Sequence, residues 1–286
     1  MSAAPRPPAV AGQFYAGTGA ELARQVEACF LDPRGPGELP TRHRSANRSL
    51  RAAVVPHAGY PYSGPIAARA YALIASERPP ESVLILGVDH HGRGSAALSD
   101  RAWATPLGPT AVDHDLVGAL RRGPIAVDEA AQSEEHSIEV QLPFLEYVLP
   151  RPRFVALQVR FGQFEFLREV AEVVRAATRD RDVLLLASTD FSHYVPARTA
   201  ERLDRMAIDA ILARDARRLF DTVVGNEISM CGIAPTTVLL SALADEALSA
   251  RLLRWGHSGE VEPMRDVVGY ASIALESATS LAPSVK

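Results

Sequence analysis

The sequence predicts an α/β fold, a single domain whose central sheet is mostly parallel or mixed and carries helices on both faces. The first observation is a strand–helix–strand unit, in which short apolar runs at 52–55 and 83–88 flank a helical pattern at about 65–77. Such a crossover joins parallel strands. The second observation is that apolar runs of strand length recur at 154–159 and 183–187. Because strands and helices alternate, we expect a sheet that is covered on both sides.

The length of the chain bears on its domain organisation. With 286 residues and no clear linker, one domain over 1–286 is expected. Residues 1–17, rich in proline, alanine and glycine, are expected to lie extended along the surface, with Phe14 and Tyr15 able to anchor them. Residues 32–50, rich in proline, glycine and arginine, are expected to form a flexible loop.

The remaining elements follow from the spacing of apolar residues. A short strand pair, or a strand followed by a loop, is expected within 96–104. The segments 251–255 and 267–275 are expected to close a sheet edge as a hairpin. Pro143 is expected to bend the helix in which it lies. Outside the first strand–helix–strand unit, the predicted helices cover 19–31, 113–122, 132–148, 164–177, 198–212, 215–224 and 233–243.

The composition excludes several classes of function. The net charge is −4 and the charges are interspersed without long basic blocks, so neither a nucleic-acid surface nor a membrane-binding surface is predicted. Two cysteines far apart in the sequence do not make a disulfide framework, which is typical of a reducing cytoplasm. The amino-terminal residues contain no apolar signal-like core, and no apolar stretch approaches the ~20 residues of a membrane span. We therefore expect a soluble cytoplasmic protein.

Side chains able to bind a metal or move a proton follow three of the predicted strands. His57 follows the first strand, His90 follows the second, and Asp190 and His193 follow the apolar run VLLLA. Ligands of open α/β sheets bind outside the carboxyl ends of the strands. His57 taken alone is typical of an ordinary loop, but its convergence with His90 favours a site. Because adjacent side chains point differently, only one of His90 and His91 is expected in the site, and His90 is favoured.

Cys231 lies in a glycine-flanked turn before the last predicted helix. A helix N-terminus stabilises a thiolate, so a soft metal ligand, a nucleophile and a buried structural cysteine are all consistent with this position. Together with His57 and His90 it would suit iron, copper or zinc, since all three accept imidazole and thiolate ligands. The sequence does not choose among these metals. Cys29 lies on the apolar face of the first helix, where a buried core thiol is expected.

Three more residues have two interpretations each. His136 follows Ser133 and Glu135 at the expected start of a helix, where the positive helix end keeps an imidazole neutral and suits it to polarise a substrate. The alternative is that acidic residues there only favour the first helical turn. Asp190 and His193 are three residues apart, so in a helical turn the carboxylate would orient the imidazole or both side chains would bind one ion. The alternative for Asp190 is a helix cap.

Six short motifs occur in order along the chain: PHAGYPYSG, LILGVDHHG, EEHSIEVQLPFL, ASTDFSHY, CGIAP and GYASIAL. In these motifs the chain resembles the Memo family, the mediator-of-cell-motility proteins and their bacterial and archaeal relatives. The resemblance spans almost the whole chain after residue 50, and several unusual motifs in fixed order are far more specific than any one alone. The family is similar in fold to the class III extradiol ring-cleaving dioxygenases, which are non-haem iron enzymes. The resemblance therefore implies that fold.

Two sets of residues match positions of the family. The residues that match its metal site, reported for iron or copper, are His57, His90 and Cys231. The residues that match the lining of the same pocket are Asp190, His193 and His136. The resemblance implies a dioxygenase-like oxidoreductase, but the cysteine takes what would be a carboxylate ligand position in the related dioxygenases, which argues against ring cleavage itself. Asp89, where relatives often have another residue, adds a carboxylate that is expected to accept a hydrogen bond from His90.

The first functional hypothesis is a metal-dependent redox enzyme that binds iron(II) or copper, with zinc less favoured. His193, His136 and Asp190 would then act in catalysis on an unnamed small molecule or peptide. The alternative is a non-catalytic binding module whose pocket recognises a peptide, an anion or a partner protein. A third hypothesis is a Cys231 hydrolase with His193 as its base. Bacterial relatives tend to occur with a radical-SAM protein, and the resemblance implies a functional link to such a partner.

Overall fold

A computed structural model describes residues 4–42 and 45–277. The strands of these residues, in chain order, are β1 (Leu50–Val55), β2 (Ser82–Val88), β3 (Ala96–Leu98), β4 (Trp103–Thr105), β5 (Gly108–Val112), β6 (Ala126–Val127), β7 (Arg153–Val159), β8 (Val183–Ser188), β9 (His193–Pro196), β10 (Leu248–His257) and β11 (Asp266–Ser277). The helices are α1 (Gly19–Leu31), α2 (Tyr60–Ser76), α3 (His114–Leu120), α4 (Glu129–Gln132), α5 (Leu142–Val148), α6 (Phe164–Thr178), α7 (Ala197–Leu212), α8 (Ala216–Gly225) and α9 (Ile233–Ala242).

The centre of the sheet consists of parallel strands in the order β1-β8-β2-β7. β11 adds antiparallel to β1, and β10 adds antiparallel to β11, so the predicted hairpin at this edge is confirmed. On the other side β3 runs antiparallel to β7 and parallel to β6. The sheet is therefore mixed and mostly parallel at its centre, as predicted.

The register brings the carboxyl ends of three strands together. Val55 of β1 lies opposite Ser188 of β8, and Leu86 of β2 lies opposite Ala187 of β8. The loops that follow these strands therefore emerge side by side at one edge of the sheet. This edge is where the sequence predicts a ligand site.

Two hydrophobic layers cover the two faces of the sheet. Alternate residues of a strand point to opposite faces, and Val54 accordingly packs in one layer while Val55 packs in the other. The helices α1, α2 and α5 supply the layer that contains Val55, and the helices α3, α6, α7, α8 and α9 supply the layer that contains Val54. The prediction of helices on both faces is confirmed.

The predicted long helix at 132–148 is wrong. The chain instead forms α4, an irregular loop over residues 133–138, a 3-10 turn at Glu139–Gln141 and then α5. Pro143 lies in the first turn of α5, where its missing N–H would have no helical partner, so it begins a helix rather than bending one. The Glu135 carboxylate also accepts from the backbone N–H groups of His136 and Ser137, which favours a loop over a helix.

For residues 96–104 the alternative of a strand followed by a loop is confirmed, because β3 ends at Leu98 and β4 begins only at Trp103. The two strands do not pair with each other, since β3 pairs with β7 whereas β4 pairs with β5. The predicted start of the second helix differs from the structure. α2 begins at Tyr60 rather than near residue 65, and Pro65 lies inside it. A proline cannot donate to the carbonyl one turn earlier, which is that of Pro61, and Arg34 Nη2 donates to that oxygen at 3.2 Å.

The amino-terminal segment does not simply lie along the surface as predicted. Arg6 is only 3% exposed, and its Nη1 is 2.7 Å from Oε2 of the fully buried Glu139. Glu139 also accepts hydrogen bonds from the backbone N–H groups of Ala9 and Val10 and from the hydroxyl of Tyr15. A buried carboxylate needs such partners, and the segment supplies them. The prediction that Tyr15 anchors the segment is confirmed, since this side chain is buried.

Between α1 and β1, residues 32–42 and 45–49 form neither helix nor strand, in line with the predicted loop, whose flexibility stays a prediction. In the part of the chain that the structure describes, no helix combines the length and apolar character that crossing a bilayer requires.

Candidate metal centre

The loops after β1 and β2 carry His57 and His90 to the carboxyl edge of the sheet, and the turn before α9 brings Cys231 to them. Gly232 makes this approach possible, because a Cβ at this position would lie 2.2 Å from the Cβ of Thr189. The Gly232 N–H instead donates to Thr189 Oγ1 at 3.0 Å. The turn before α9 is thereby held against the end of β8.

His57 is buried, and both of its ring nitrogens have a polar neighbour. Its Nδ1 is 3.0 Å from Ser188 Oγ, and its Nε2 is 3.3 Å from Cys231 Sγ. The Ser188 hydroxyl donates its proton to the carbonyl oxygen of Ser137, so it accepts from Nδ1–H of His57. This arrangement leaves the lone pair of Nε2 directed towards Cys231. Burial and the neighbouring histidines lower the pKa of His57 well below its usual value, so the ring is neutral near pH 7.

His90 is held through both its ring and its backbone by Glu135. Its Nδ1 is 2.9 Å from Glu135 Oε1, and its backbone N–H donates to Oε2 at 2.9 Å. Burial acts to raise the pKa of Glu135, but the hydrogen bond and charge of His90 and the charge of His136 outweigh it and hold that pKa well below its usual range. Nε2 of His90 is the ring atom left for a ligand.

The ligand atoms of His57, His90 and Cys231 all lie within 4.8 Å of one another. Cys231 Sγ also accepts a hydrogen bond from the backbone N–H of Asp190 at 3.3 Å. Burial, followed by the charge of Asp190, raises the pKa of the Cys231 thiol despite this hydrogen bond. The helix-terminus effect expected from the sequence is therefore outweighed by burial.

His136 contacts both histidines of this group. Its ring stacks on that of His90 with 4.6 Å between centroids, and it meets the ring of His57 edge-on at 5.5 Å. The Phe14 ring also contacts the His136 ring, with 4.8 Å between centroids. Burial lowers the pKa of His136 to about 4, partly opposed by Glu135. The lowered pKa agrees with the predicted neutral ring of His136. Its cause is burial and not a helix end, because His136 lies in a loop.

Asp190 and His193 do not share a helical face. Residues 189–192 are irregular and β9 begins at His193, because β9 pairs with β11. Asp190 Oδ1 accepts from the backbone N–H of His57 at 2.8 Å, and His193 Nδ1 donates to the carbonyl oxygen of Ser229 at 2.8 Å. Ser229, rather than Asp190, therefore orients the His193 ring. Burial raises the pKa of Asp190 to about 6, against the hydrogen bond from His57 and the charge of His193.

The imidazole beside the Cys231 thiol is that of His57, at 3.3 Å, whereas the hydrolase hypothesis requires His193 as the base. This contact does not favour the hydrolase hypothesis.

His91 is exposed and its Nε2 is near the carbonyl oxygen of Glu134, which agrees with the choice of His90. Cys29 is buried in the layer of α1, as predicted, and burial raises its pKa to about 12.

The expected role of Asp89 is wrong. Its two carboxylate oxygens accept from the backbone N–H groups of Arg93 and Gly94, at 3.1 Å each, and not from His90. Glu135 takes the role instead. Ser188, which accepts from Nδ1–H of His57, was not predicted as a site residue although it lies in the motif ASTDFSHY at the end of β8. Its position after a buried strand was the available signal.

Comparisons with known proteins show the family of the chain. The family model described as "Memo-like protein" matches residues 6–274. A "MEMO1 family protein" of Methanopyrus kandleri is 42% identical over 277 residues, which cover 94% of this chain and 98% of that protein. One from Methanothermobacter thermautotrophicus is 39% identical, with 94% and 99% covered.

A solved structure shows the likeness of fold alone. An uncharacterized protein of Escherichia coli K12 superposes with a TM-score of 0.51 at 15% sequence identity, covering 79% of this chain and 99% of that one. The family model and these relatives match nearly the whole length of the chain. The chain belongs to the Memo family.

Proposed function

We propose that this protein binds a redox-active ion, iron(II) or copper, through His57, His90 and Cys231, and acts as a metal-dependent redox enzyme. The observation that carries the proposal is the convergence of three ligand atoms within 4.8 Å of one another. Each imidazole also has an oxygen partner at Nδ1, which leaves Nε2 for the ion. Histidines that bind metals are commonly held in this way.

The spacing and the chemistry of the group both fit such an ion. Metal bonds of about 2.1 Å to nitrogen and about 2.3 Å to sulfur, at a tetrahedral angle, place the two ligand atoms about 3.6 Å apart. His57 Nε2 and Cys231 Sγ are 3.3 Å apart. Imidazole and thiolate suit iron, copper and zinc, and three protein ligands leave a position open for a substrate. A nearby cation would also favour the thiolate of Cys231, which burial alone disfavours.

The bound ion would supply one-electron chemistry, and the residues beside it would handle protons. His136 is neutral near pH 7 and lies against both histidine ligands, so it can accept or donate a proton at the open position. His193 has Nε2 available, because its Nδ1 donates to Ser229. Asp190, with a pKa of about 6, is mostly ionised at pH 7 and can accept a proton there.

Metal analysis of protein purified without chelator tests the proposed ligands. We expect about one iron or copper per chain, and loss of that metal in His57→Ala and in Cys231→Ala. The matched controls are His91→Ala, which removes the exposed neighbour of His90, and Cys29→Ala, which removes the other thiol. Retention of iron or copper in both ligand variants would contradict the proposal, as would a protein that binds only zinc.

Turnover is tested separately from binding. We expect oxygen consumption that depends on added iron(II) or copper and disappears in His90→Ala but not in His91→Ala. A protein that binds the metal but shows no turnover, and whose ligand binding is unaffected by chelation, would favour the non-catalytic binding module. The link to a radical-SAM protein stays a prediction.

A further inference from the structure

We infer that Glu135 is a positioning residue that fixes the ring of His90 and its protonated nitrogen, so that Nε2 is the atom offered to the candidate metal centre. This inference rests on the proposed function, because it names the residue that prepares one of the proposed ligands. The residue lies outside the three proposed ligands and outside the residues that the sequence pointed to for catalysis.

The first support is the number of donors around the Glu135 carboxylate. Oε1 accepts from His90 Nδ1 at 2.9 Å, from the backbone N–H of His136 at 2.9 Å and from that of Ser137 at 2.8 Å. Oε2 accepts from the backbone N–H of His90 at 2.9 Å. All four donors come from the two loops that carry His90 and His136. One side chain thus sets the position of both loops.

The second support concerns which nitrogen of His90 carries the proton. A carboxylate surrounded by N–H donors acts as an acceptor, so Nδ1 of a neutral His90 must be the protonated nitrogen. Nε2 then keeps its lone pair and can bind an ion. His90 belongs to two overlapping groups of possible metal ligands, one with His57 and Cys231 and one with Glu135 and His136. The hydrogen bonds of Glu135 bear on which of the two groups would bind an ion. Glu135 already has its donors, which favours the group with Cys231.

The third support is the way in which Glu135 itself is held. Its side chain is fully buried, and its backbone carbonyl accepts from Arg6 Nη2 at 2.6 Å. Arg6 Nε donates to the carbonyl oxygen of Gln132 at 2.9 Å, just before the same loop. The guanidinium also lies over the ring of Trp103 at 4.0 Å. Glu135 therefore has little freedom to leave His90, and this rigidity is what a positioning residue requires.

The variant Glu135→Gln tests the inference because it keeps the size of the side chain and changes only its donors and acceptors. With the amide oxygen facing His90 Nδ1, the amide N–H group meets the backbone N–H of His90. With the amide turned round, it meets Nδ1, and the proton of the ring moves to Nε2, which then cannot bind a metal. We expect an affinity for iron(II) or copper about 10- to 100-fold weaker than that of the unaltered protein, measured by competition with a chelator.

Glu134→Gln is the matched control, because Glu134 is adjacent in sequence and its carboxylate forms an exposed ion pair with Arg93. We expect its metal affinity to be unchanged. A Glu135→Gln variant that is folded, as judged by its circular dichroism, and binds the metal as tightly as the unaltered protein would overturn the inference.

A second measurement does not depend on metal binding or on the folding of a variant. Two-bond ¹H–¹⁵N correlation spectra of the unaltered protein in the presence of chelator distinguish the two neutral forms of a histidine ring. We expect His90 to be protonated at Nδ1, and protonation at Nε2 would overturn the inference. A protein with the expected form that binds neither iron nor copper would contradict the proposed function and leave the role of Glu135 supported.

Discussion

Glu135 and Asp190 are both buried carboxylates beside a histidine of the candidate metal centre, yet their surroundings differ in the donors they supply. Glu135 accepts from an imidazole and from three backbone N–H groups, and its pKa lies well below its usual range. Asp190 accepts from the backbone of His57 but from no ring nitrogen among the described contacts, and burial raises its pKa to about 6.

The difference indicates a division of labour between two residues of the same chemical type. A carboxylate that stays ionised at every physiological pH can hold an imidazole in place but cannot donate a proton. A carboxylate with a pKa near 6 can exchange a proton under neutral conditions. Groups whose surroundings move their pKa values apart are typical of sites that need both functions. We therefore propose that Glu135 orients His90 and that Asp190 exchanges a proton.

A third buried carboxylate, Glu139, differs from both of these because it forms an ion pair with the guanidinium of Arg6. Removing that charge in Arg6→Ala leaves a buried carboxylate with only neutral donors, so we expect a loss of about 3–5 kcal/mol in the free energy of unfolding. Denaturant titration measures this loss. The control Arg205→Ala breaks an exposed ion pair with Asp209 and should change the free energy by about 0.5 kcal/mol or less. Equal effects of the two variants would contradict the importance of the buried pair.

The pH dependence of the free energy of unfolding tests whether the pKa of Asp190 is raised in the folded chain. Its pKa in the folded chain lies above the usual value, so its stabilising contribution is present below about pH 4 and is lost as the pH rises through 6. Asp190→Asn cannot titrate. From pH 4 to pH 7 we expect the free energy of unfolding of this variant to rise by about 2–3 kcal/mol relative to that of the unaltered protein. Denaturant titration with chelator present measures this change. A difference between the two proteins that does not change with pH would contradict the raised pKa.

Glu135 should show the opposite dependence on pH. Its pKa in the folded chain is lowered, so its contribution to stability is present above the ordinary glutamate value and is lost as the pH falls below it. We expect Glu135→Gln to be less stable than the unaltered protein by about 1–2 kcal/mol at pH 6. This difference in the free energy of unfolding should become smaller as the pH falls from 5 to 3. If the difference in the free energy of unfolding widened as the pH fell, the pKa of Glu135 would be raised, like that of Asp190, and the account would be contradicted.

The fold could be predicted because its strands are continuous apolar runs bounded by loops. Each central strand was placed to within two residues, and α1 was placed at its observed bounds, since both patterns depend on local sequence. The loop at 133–138 could not be predicted in this way. There the Glu135 side chain captures backbone N–H groups that a helix would have used, and apolar spacing carries no signal of that capture.

The candidate site divides along the same line. The convergence of His57 and His90 was predictable because parallel strands end at one edge of a sheet. The relation between Asp190 and His193 was not, because pairing of β9 with the distant β11 imposes a strand where three-residue spacing allowed a helical turn. Glu135 was missed as the partner of His90 because the two residues are far apart in the chain, and Asp89 offered a carboxylate nearer in sequence.

X-ray absorption spectroscopy of the iron- or copper-loaded protein tests the central claim most directly, since it reports the atoms bound to the metal. We predict nitrogen neighbours from imidazole and one sulfur neighbour, with the sulfur lost in Cys231→Ser and kept in Cys29→Ser. A spectrum without sulfur in the unaltered protein, or a sulfur signal that persists in Cys231→Ser, would contradict the assignment of His57, His90 and Cys231 as the metal ligands.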